Sequence, residues 1–293
     1  DAPVKARWGG RDSMDPILAE WGGLILRWTH IITGIAWIGS SFYFMHIDAA
    51  MRAIPEIPAG KGGEAWEVHG GGFYQVRKFL VAPDKMPDEL MWHKWESYAT
   101  WASGFFLLCW VYYLGAELYL VDPAIRPLTS LQAAGIGIGG LVLGWVVYNF
   151  LVNSQLANNP VLLASVGFAF IMGMAYFFQT MFSGRGALIH TGALMATIMT
   201  GNVAMNIIPN QKKVIADLIA GREPDPSLGK QAKTRSTHNN YLTLPVIFLM
   251  ISGHYPLTFM SQHAWVIVGL VLIAGAIVRY FYNQRHAGNG NKW

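Results

Sequence analysis

A single cysteine, Cys109, stands in this chain of 293 residues. It excludes an intrachain disulfide and a CxxCH attachment motif, so no covalent haem c is carried by these residues. Charge is also scarce. Asp, Glu, Lys and Arg make up 13% of positions against 53% apolar residues, with mean hydropathy +0.31, a balance outside the range of ordinary soluble domains. Before Leu24 the chain is polar, with Lys5, Arg7, Arg11 and Asp12, and lacks the apolar stretch of a cleavable signal peptide. The first helix is therefore expected to act as its own membrane signal. No flavin or nicotinamide fingerprint is visible.

Long apolar stretches are what the chain has instead. They run at about Leu24 to Ala50, Tyr98 to Val121, Leu131 to Val152, Val161 to Phe182, Leu188 to Ile208, Tyr241 to Phe259 and Ala264 to Tyr282. Each is near the roughly 20 residues that a bilayer requires of a helix. The pattern predicts an all-α polytopic transmembrane helix bundle of about seven spans. Residues 1–293 would form one integral membrane domain with two cytoplasmic loops. Basic residues orient it. One side holds Arg52, Lys61, Arg77, Lys78 and Lys85, then Lys212, Lys213, Arg222, Lys230, Lys233 and Arg235, then Arg285 and Lys292. The other holds Lys5, Arg7, Arg11, Arg126 and Arg185. The richer side reads as cytoplasmic, which places the N-terminus outside. The net charge of +4 then reflects this bias and contact with membrane lipid, with no nucleic acid needed to explain it.

Histidines gather near the ends of the apolar stretches, where ionisable groups are costly and mark functional sites. On the outer side lie His30, His190, His254 and His263; on the inner side lie His46, His69, His93 and His238. His30 to His46 and His238 to His254 each span 16 residues, or ~24 Å of rise with ~160° of rotation on a straight helix. Two stacked haems sharing one helix face are thereby disfavoured. One non-covalent haem b in the outer layer, ligated by His30 and His254 with His190 as substitute, is the expected arrangement. The haem-free alternative is that these imidazoles hydrogen-bond Arg27, Asn202 or backbone inside the bundle.

The two inner loops carry the remaining polar chemistry. The first contains His69-Gly70-Gly71-Gly72-Phe73-Tyr74, then Arg77 and Lys78, with His93, Trp95 and Glu96 where the chain re-enters the membrane. Consecutive glycines permit positive φ and close approach of backbone amides to a planar or anionic ligand, although a plain tight turn explains them equally. The second loop has an apolar-periodic stretch at Val214, Ile215, Leu218 and Ile219, read as a short interfacial helix. It leads to Arg235, His238, Asn239 and Asn240.

The strings RWTHIITGIAWIGSSFYF, EVHGGGFYQVRKFLVAPDKMP, KWESYATW, FSGRGALIHTGALMATIMTGNV and RSTHNNYLTLPVIFLMISGHY resemble the membrane domain of the bacterial membrane-integrated, cytochrome c-linked urate oxidase family. The resemblance runs in one order from about Trp21 to Arg285. It implies a multi-pass protein of the bacterial inner membrane that oxidises urate to 5-hydroxyisourate and passes electrons to a c-type cytochrome rather than to oxygen. Family members often carry a further helix and a C-terminal cytochrome c domain, neither of which is expected within these 293 residues. Under this reading Arg77 or Arg235 supplies a cationic fork for the acidic purine, with Asn239 nearby. Phe73, Tyr74 or Trp95 supplies an aromatic face, and His69, His238 and Glu96 are candidate bases. Two other readings stay open. One is a haem-containing quinol or cytochrome electron-transfer protein without urate activity. The other is a transporter using Arg27, Glu96, Glu117 and Arg279, against which the lack of a visible inverted repeat counts.

Overall fold

The computed structural model describes residues 15–57, 62–80 and 87–287, with side chains up to 283. Lys5, Arg7, Arg11, Asp12, Lys61, Lys85 and Lys292 lie outside the described residues, and so does the side chain of Arg285.

Helix α1 spans Pro16–Ala50. Pro16 suits its first turn, and the Asp15 carboxylate accepts from the Ile17 amide at 2.8 Å. Helix α2, Trp95–Leu108, packs along α1 and passes into a π turn, Cys109–Tyr113, and the short α3, Ala116–Tyr119. Helix α4 covers Ser130–Asn153 and begins with a capping box in which Thr129 and Gln132 satisfy each other's backbone amides. A 3₁₀ turn at Gln155–Asn158 leads to α5, Pro160–Met181. Helix α6, Gly184–Asn202, is capped by Ser183 and continues through a second π turn, Val203–Ile207, into α7, Ile208–Ile219. Pro209 accounts for that wide turn. Its missing N–H and its ring clash with the carbonyl four residues back are relieved when the helix widens by one residue. Helices α8, Pro226–Ser252, α9, Pro256–Phe259, and α10, Ala264–Ala287, complete the chain.

Helix α6 forms the centre, covered by α4, α5 and α8. Small residues let the neighbours approach, as helix packing in lipid demands. On α4, added Cβ atoms at Gly137, Gly140 and Gly144 would lie 2.6 Å from His190, 2.5 Å from Phe178 and 2.5 Å from Leu194. Gly137, Gly140 and Gly144 on α4 thus serve packing.

Four helices among the described residues are long and apolar enough to cross a membrane: 130–153, 160–181, 184–219 and 264–283. The other three expected segments are largely helical, within α1, α2 with its π turn, and α8, but do not meet both conditions. Polar residues explain α8 in particular. It starts at Pro226, well before the expected Tyr241, so Arg235, His238 and Asn239 lie on a helix and not in a loop. The expected interfacial helix at Val214 to Ile219 is instead the end of the α6–α7 rod.

The first loop corrects an expectation of irregular chain. Strands β1, Gly62–His69, and β2, Gly72–Phe79, pair antiparallel with His69 opposite Gly72. Gly70 and Gly71 form the two-residue turn with φ of 59° and 81°, which is the demand that a tight hairpin turn makes on both central residues. Ala65 seals the hairpin onto Ile47 and Met51 at the end of α1. The Glu64 carboxylate accepts from Trp66, Gln75 and Arg77 at 2.7–2.8 Å.

Candidate functional site

A cavity of about 670 Å³ opens at the hairpin end of the bundle, between α1, the segment before α2, the second π turn with α7, α8 and α10. That volume lies within the range of small-molecule sites. Its aromatic lining comes from Trp37, Phe44 and Trp92, and its polar lining from Ser40, Ser41, Gln211, Asn239, Asn240 and Asn283. Asp48 and Lys233 border it, and Lys78 pairs with Asp48 at 2.6 Å, tying the hairpin to the cavity edge. A π turn on the wall is consistent with a functional site, where such turns concentrate.

His93 borders the cavity and stands edge-on to Phe44, with ring centres 4.9 Å apart. Its Nδ1 donates to Glu96 Oε1 at 3.1 Å, because a carboxylate can only accept. Nε2 is then left as the ring nitrogen able to take a proton. The second oxygen of Glu96 is buried without a partner.

A polar network stands behind Asn239 and ties α4, α6 and α8 together. Buried Arg235 donates to Asn202 at 3.0 Å, Asn149 at 2.9 Å and Asn153 at 3.2 Å, and its guanidinium lies over the Tyr148 ring. Asn202 donates to Tyr148 and to Asn239, both at 2.9 Å, and the Tyr148 hydroxyl is hydrogen-bonded to His238 Nδ1 at 2.8 Å. Asn239 in turn donates to the Met199 carbonyl. Asn239 is thereby fixed from behind while bordering the cavity.

The candidate residues therefore separate. Asn239 lines the cavity, and Arg235 and His238 belong to the network behind it. Glu96 reaches the cavity through His93. His69, Gly70, Gly71, Gly72, Phe73, Tyr74 and Arg77 do not line it: they form the end of β1, the hairpin turn and β2, with Phe73 77% exposed and Arg77 held by Glu64. Trp95 is exposed and packs edge-on against Tyr98. At Glu64, desolvation pushes the carboxyl upward, but bonds from Trp66, Arg77 and Gln75 outweigh it and hold the group below the usual carboxylate range.

The three expected haem ligands are dispersed over different surroundings. His30 on α1 places Nδ1 3.0 Å from the Thr100 carbonyl and 3.2 Å from Ser103, with its ring against Gly104. His190 is fully buried; its Nδ1 donates to the Gly186 carbonyl at 2.7 Å and its Nε2 is 3.1 Å from the Tyr113 hydroxyl. Helix α4 closes over that nitrogen at Gly137. His254 is exposed beyond the end of α8. A ligand imidazole needs a free nitrogen and room for the macrocycle, and His190 as arranged offers neither, whereas the bonds of His30 run through Nδ1 alone. Among the described residues no group of three or more His, Cys, Asp or Glu side chains could hold a metal ion.

A family model described as urate oxidase N-terminal matches residues 16–293. The chain belongs to that family. No curated protein and no solved structure matches it. For a member of the urate oxidase N-terminal family, the lining residues that sequence reasoning passed over are instructive. Ser40, Ser41, Trp92 and Gln211 carry no local motif; only the meeting of α1 with α7, α8 and α10 makes them neighbours. Arg279 did carry a signal, a lone charge in an apolar span, but it suited a translocation path as well as a binding site.

Proposed function

We propose that this chain oxidises urate to 5-hydroxyisourate in the cavity between α1, α7, α8 and α10, passing electrons to a c-type cytochrome and not to oxygen. Membership of the urate oxidase N-terminal family carries the reading. The cavity supports it chemically, since a planar purine bearing alternating carbonyl and N–H groups calls for aromatic walls with amide and hydroxyl partners. Trp37, Phe44 and Trp92 supply the walls; Ser40, Asn239 and Asn240 supply the partners.

The reaction adds water at the purine C5 and removes two protons and two electrons. A base beside the bound ring must take a proton from the attacking water or from urate itself. His93 is that base in this reading, and Glu96 is its positioning residue, holding the imidazole by Nδ1 so that Nε2 stays free to accept. Two molecules of a ferric c-type cytochrome would take up the two electrons, one each, and the protons leave through His93 to solvent. In this reading the protein sits in a bacterial inner membrane with its N-terminus outside, which the richer set of basic residues on one side supports.

The test is anaerobic mixing of the purified full chain with urate and a soluble ferric c-type cytochrome. Loss of urate absorbance coupled to cytochrome reduction is the expected result. Urate that remains unchanged while the cytochrome stays oxidised overturns the proposal, and urate loss only in air with hydrogen peroxide formed overturns the acceptor.

A further inference from the structure

Arg279 is fully buried in an apolar span of α10, the kind of place where a charge is expensive and is retained for use. Its guanidinium lies over the Phe42 ring with centres 4.2 Å apart, and Nη1 donates to the Met45 sulfur at 3.0 Å. Nε and Nη2 are buried without partners. These two nitrogens make up the side-on edge of a guanidinium, whose parallel N–H groups match a carboxylate or another planar anion. Arg235 is the contrast. Both of its terminal nitrogens donate to asparagine oxygens.

Asn240 repeats the pattern beside it. Its Nδ2 donates to the same Met45 sulfur at 2.8 Å, and its Oδ1 is buried with no partner. A thioether is a weak acceptor, yet here it receives two strong donors at distances typical of oxygen. Met45 and Asn240 both line the cavity, and so does Asn283, one turn along the same face of α10 from Arg279. Helix α10 comes this close because Gly275, one turn the other way, sits against the Pro245 ring; an added Cβ there would be 2.8 Å from it.

We propose that Arg279 and Asn240 form the anion-recognition subsite of the cavity, binding the acidic edge of an oxidised purine with Met45 as the side chain that gives way. The assignment rests on the urate reading above and names the residues that select an anion. The guanidinium edge supplies two donors to an anionic nitrogen and its neighbouring carbonyl, and Asn240 Oδ1 accepts from the adjacent ring N–H. A purely structural Arg279, held by Phe42 and Met45, would leave three buried polar atoms unused.

Equilibrium binding of urate, and of neutral tetramethylurate as control, is measured on the purified full chain together with thermal unfolding. Wild type is expected to bind urate and to discriminate against the control. Arg279→Gln should weaken urate binding by at least about 10-fold, the loss expected for a charge-assisted pair, and Arg279→Lys should fall between because it lacks the fork. Asn240→Asp keeps the volume and places a carboxylate beside the guanidinium. It should raise the unfolding temperature and weaken urate binding together, and it decides the matter where Arg279→Gln does not fold. Wild-type urate affinity in a folded Arg279→Gln, or an Asn240→Asp variant unchanged in both measurements, overturns the subsite while leaving the urate reading intact. Absence of urate binding by wild type overturns both.

Discussion

Replacing His93 and Glu96 in turn separates proton acceptance from positioning, because the structure gives the two groups different distances from the cavity. His93 borders it; Glu96 touches it only through the 3.1 Å bond to Nδ1. His93→Gln removes the accepting nitrogen outright, and loss of a positioned base costs ~10² to 10⁴ in rate. Glu96→Gln leaves an amide oxygen that can accept the same Nδ1–H, so the tautomer is kept and a charge-assisted bond becomes a neutral one. That difference is about 1 kcal/mol, or roughly 5-fold to 10-fold in turnover. Glu96→Ala removes the bond as well and should fall between Gln at either position. The pair is partly open, with side chains 39% and 27% exposed, so a larger effect on stability is not expected. Steady-state urate turnover with a ferric cytochrome acceptor gives maximal rate and Michaelis constant for each variant. The order Glu96→Gln, Glu96→Ala, His93→Gln in falling maximal rate is the expected result. Equal losses for Glu96→Gln and His93→Gln would refute the positioning role and make the carboxylate the base, and wild-type rates in His93→Gln would remove both from the mechanism.

Four further substitutions probe the frame around the site. Gly140→Ala drives a methyl against the fully buried Phe178 ring and should destabilise the bundle by ~1–3 kcal/mol, read as a lowered unfolding temperature with helicity retained. Gly71→Val, at φ of 81°, should loosen the hairpin by ~1–2 kcal/mol and expose it to protease, yet leave urate turnover unchanged; lost turnover would return the turn to the active site. Asn202→Leu strips an acceptor from buried Arg235 and should cost about 3 kcal/mol, part of which returns in the double variant with Arg235→Met, as measured by denaturation. Glu64 has its carboxyl held low in the folded chain, so its contribution is complete above the ~4.3 of an ordinary glutamate and is lost as the pH falls through the depressed folded value. Trp66 fluorescence should report hairpin loosening only in that acid range, and Glu64→Gln should abolish the dependence.

How much of this was legible in the sequence depended on the range of the determining interaction. The apolar stretches of α4, α5, α6 and α10 read directly, since length and composition alone decide them. The hairpin had its signal too, in Gly70-Gly71 between runs rich in Trp, Val, Phe and Tyr, but the same glycines suit a ligand loop, and only the pairing of His69 with Gly72 chooses between them. Arg235 and His238 were legible as unusual residues near a membrane boundary. Their saturation by Asn149, Asn153, Asn202 and Tyr148 was not, because those partners come from α4 and α6, tens of residues away in sequence. At His190 the bond to the Gly186 carbonyl is local, one turn back on α6, but the Tyr113 phenol at its Nε2 lies 77 residues away in sequence and no local pattern pairs the two.

The two ends of the bundle differ for a physical reason that bears on where chemistry can occur. Around His190, α4 meshes with α5 and α6 through Gly137, Gly140 and Gly144, and the imidazole is fully buried. Toward the hairpin end α6 loses regularity at the π turn Val203–Ile207, which Pro209 forces, and Pro245 stands inside the continuous helix α8. Irregular turns break the ridges and grooves by which helices interlock, so neighbouring helices part and a cavity forms along the wall. Gly275 then restores contact at one point, bringing α10 against Pro245 and setting Arg279 one turn beyond the contact, beside the cavity rather than in the packed seam. Gly275→Ala should act on this arrangement before it acts on the fold. An added methyl 2.8 Å from the Pro245 ring pushes α10 outward, which would carry Arg279 away from Asn240 and weaken urate binding more than it lowers the unfolding temperature. A variant that loses stability but binds urate as wild type does would show that the Gly275 contact serves packing alone.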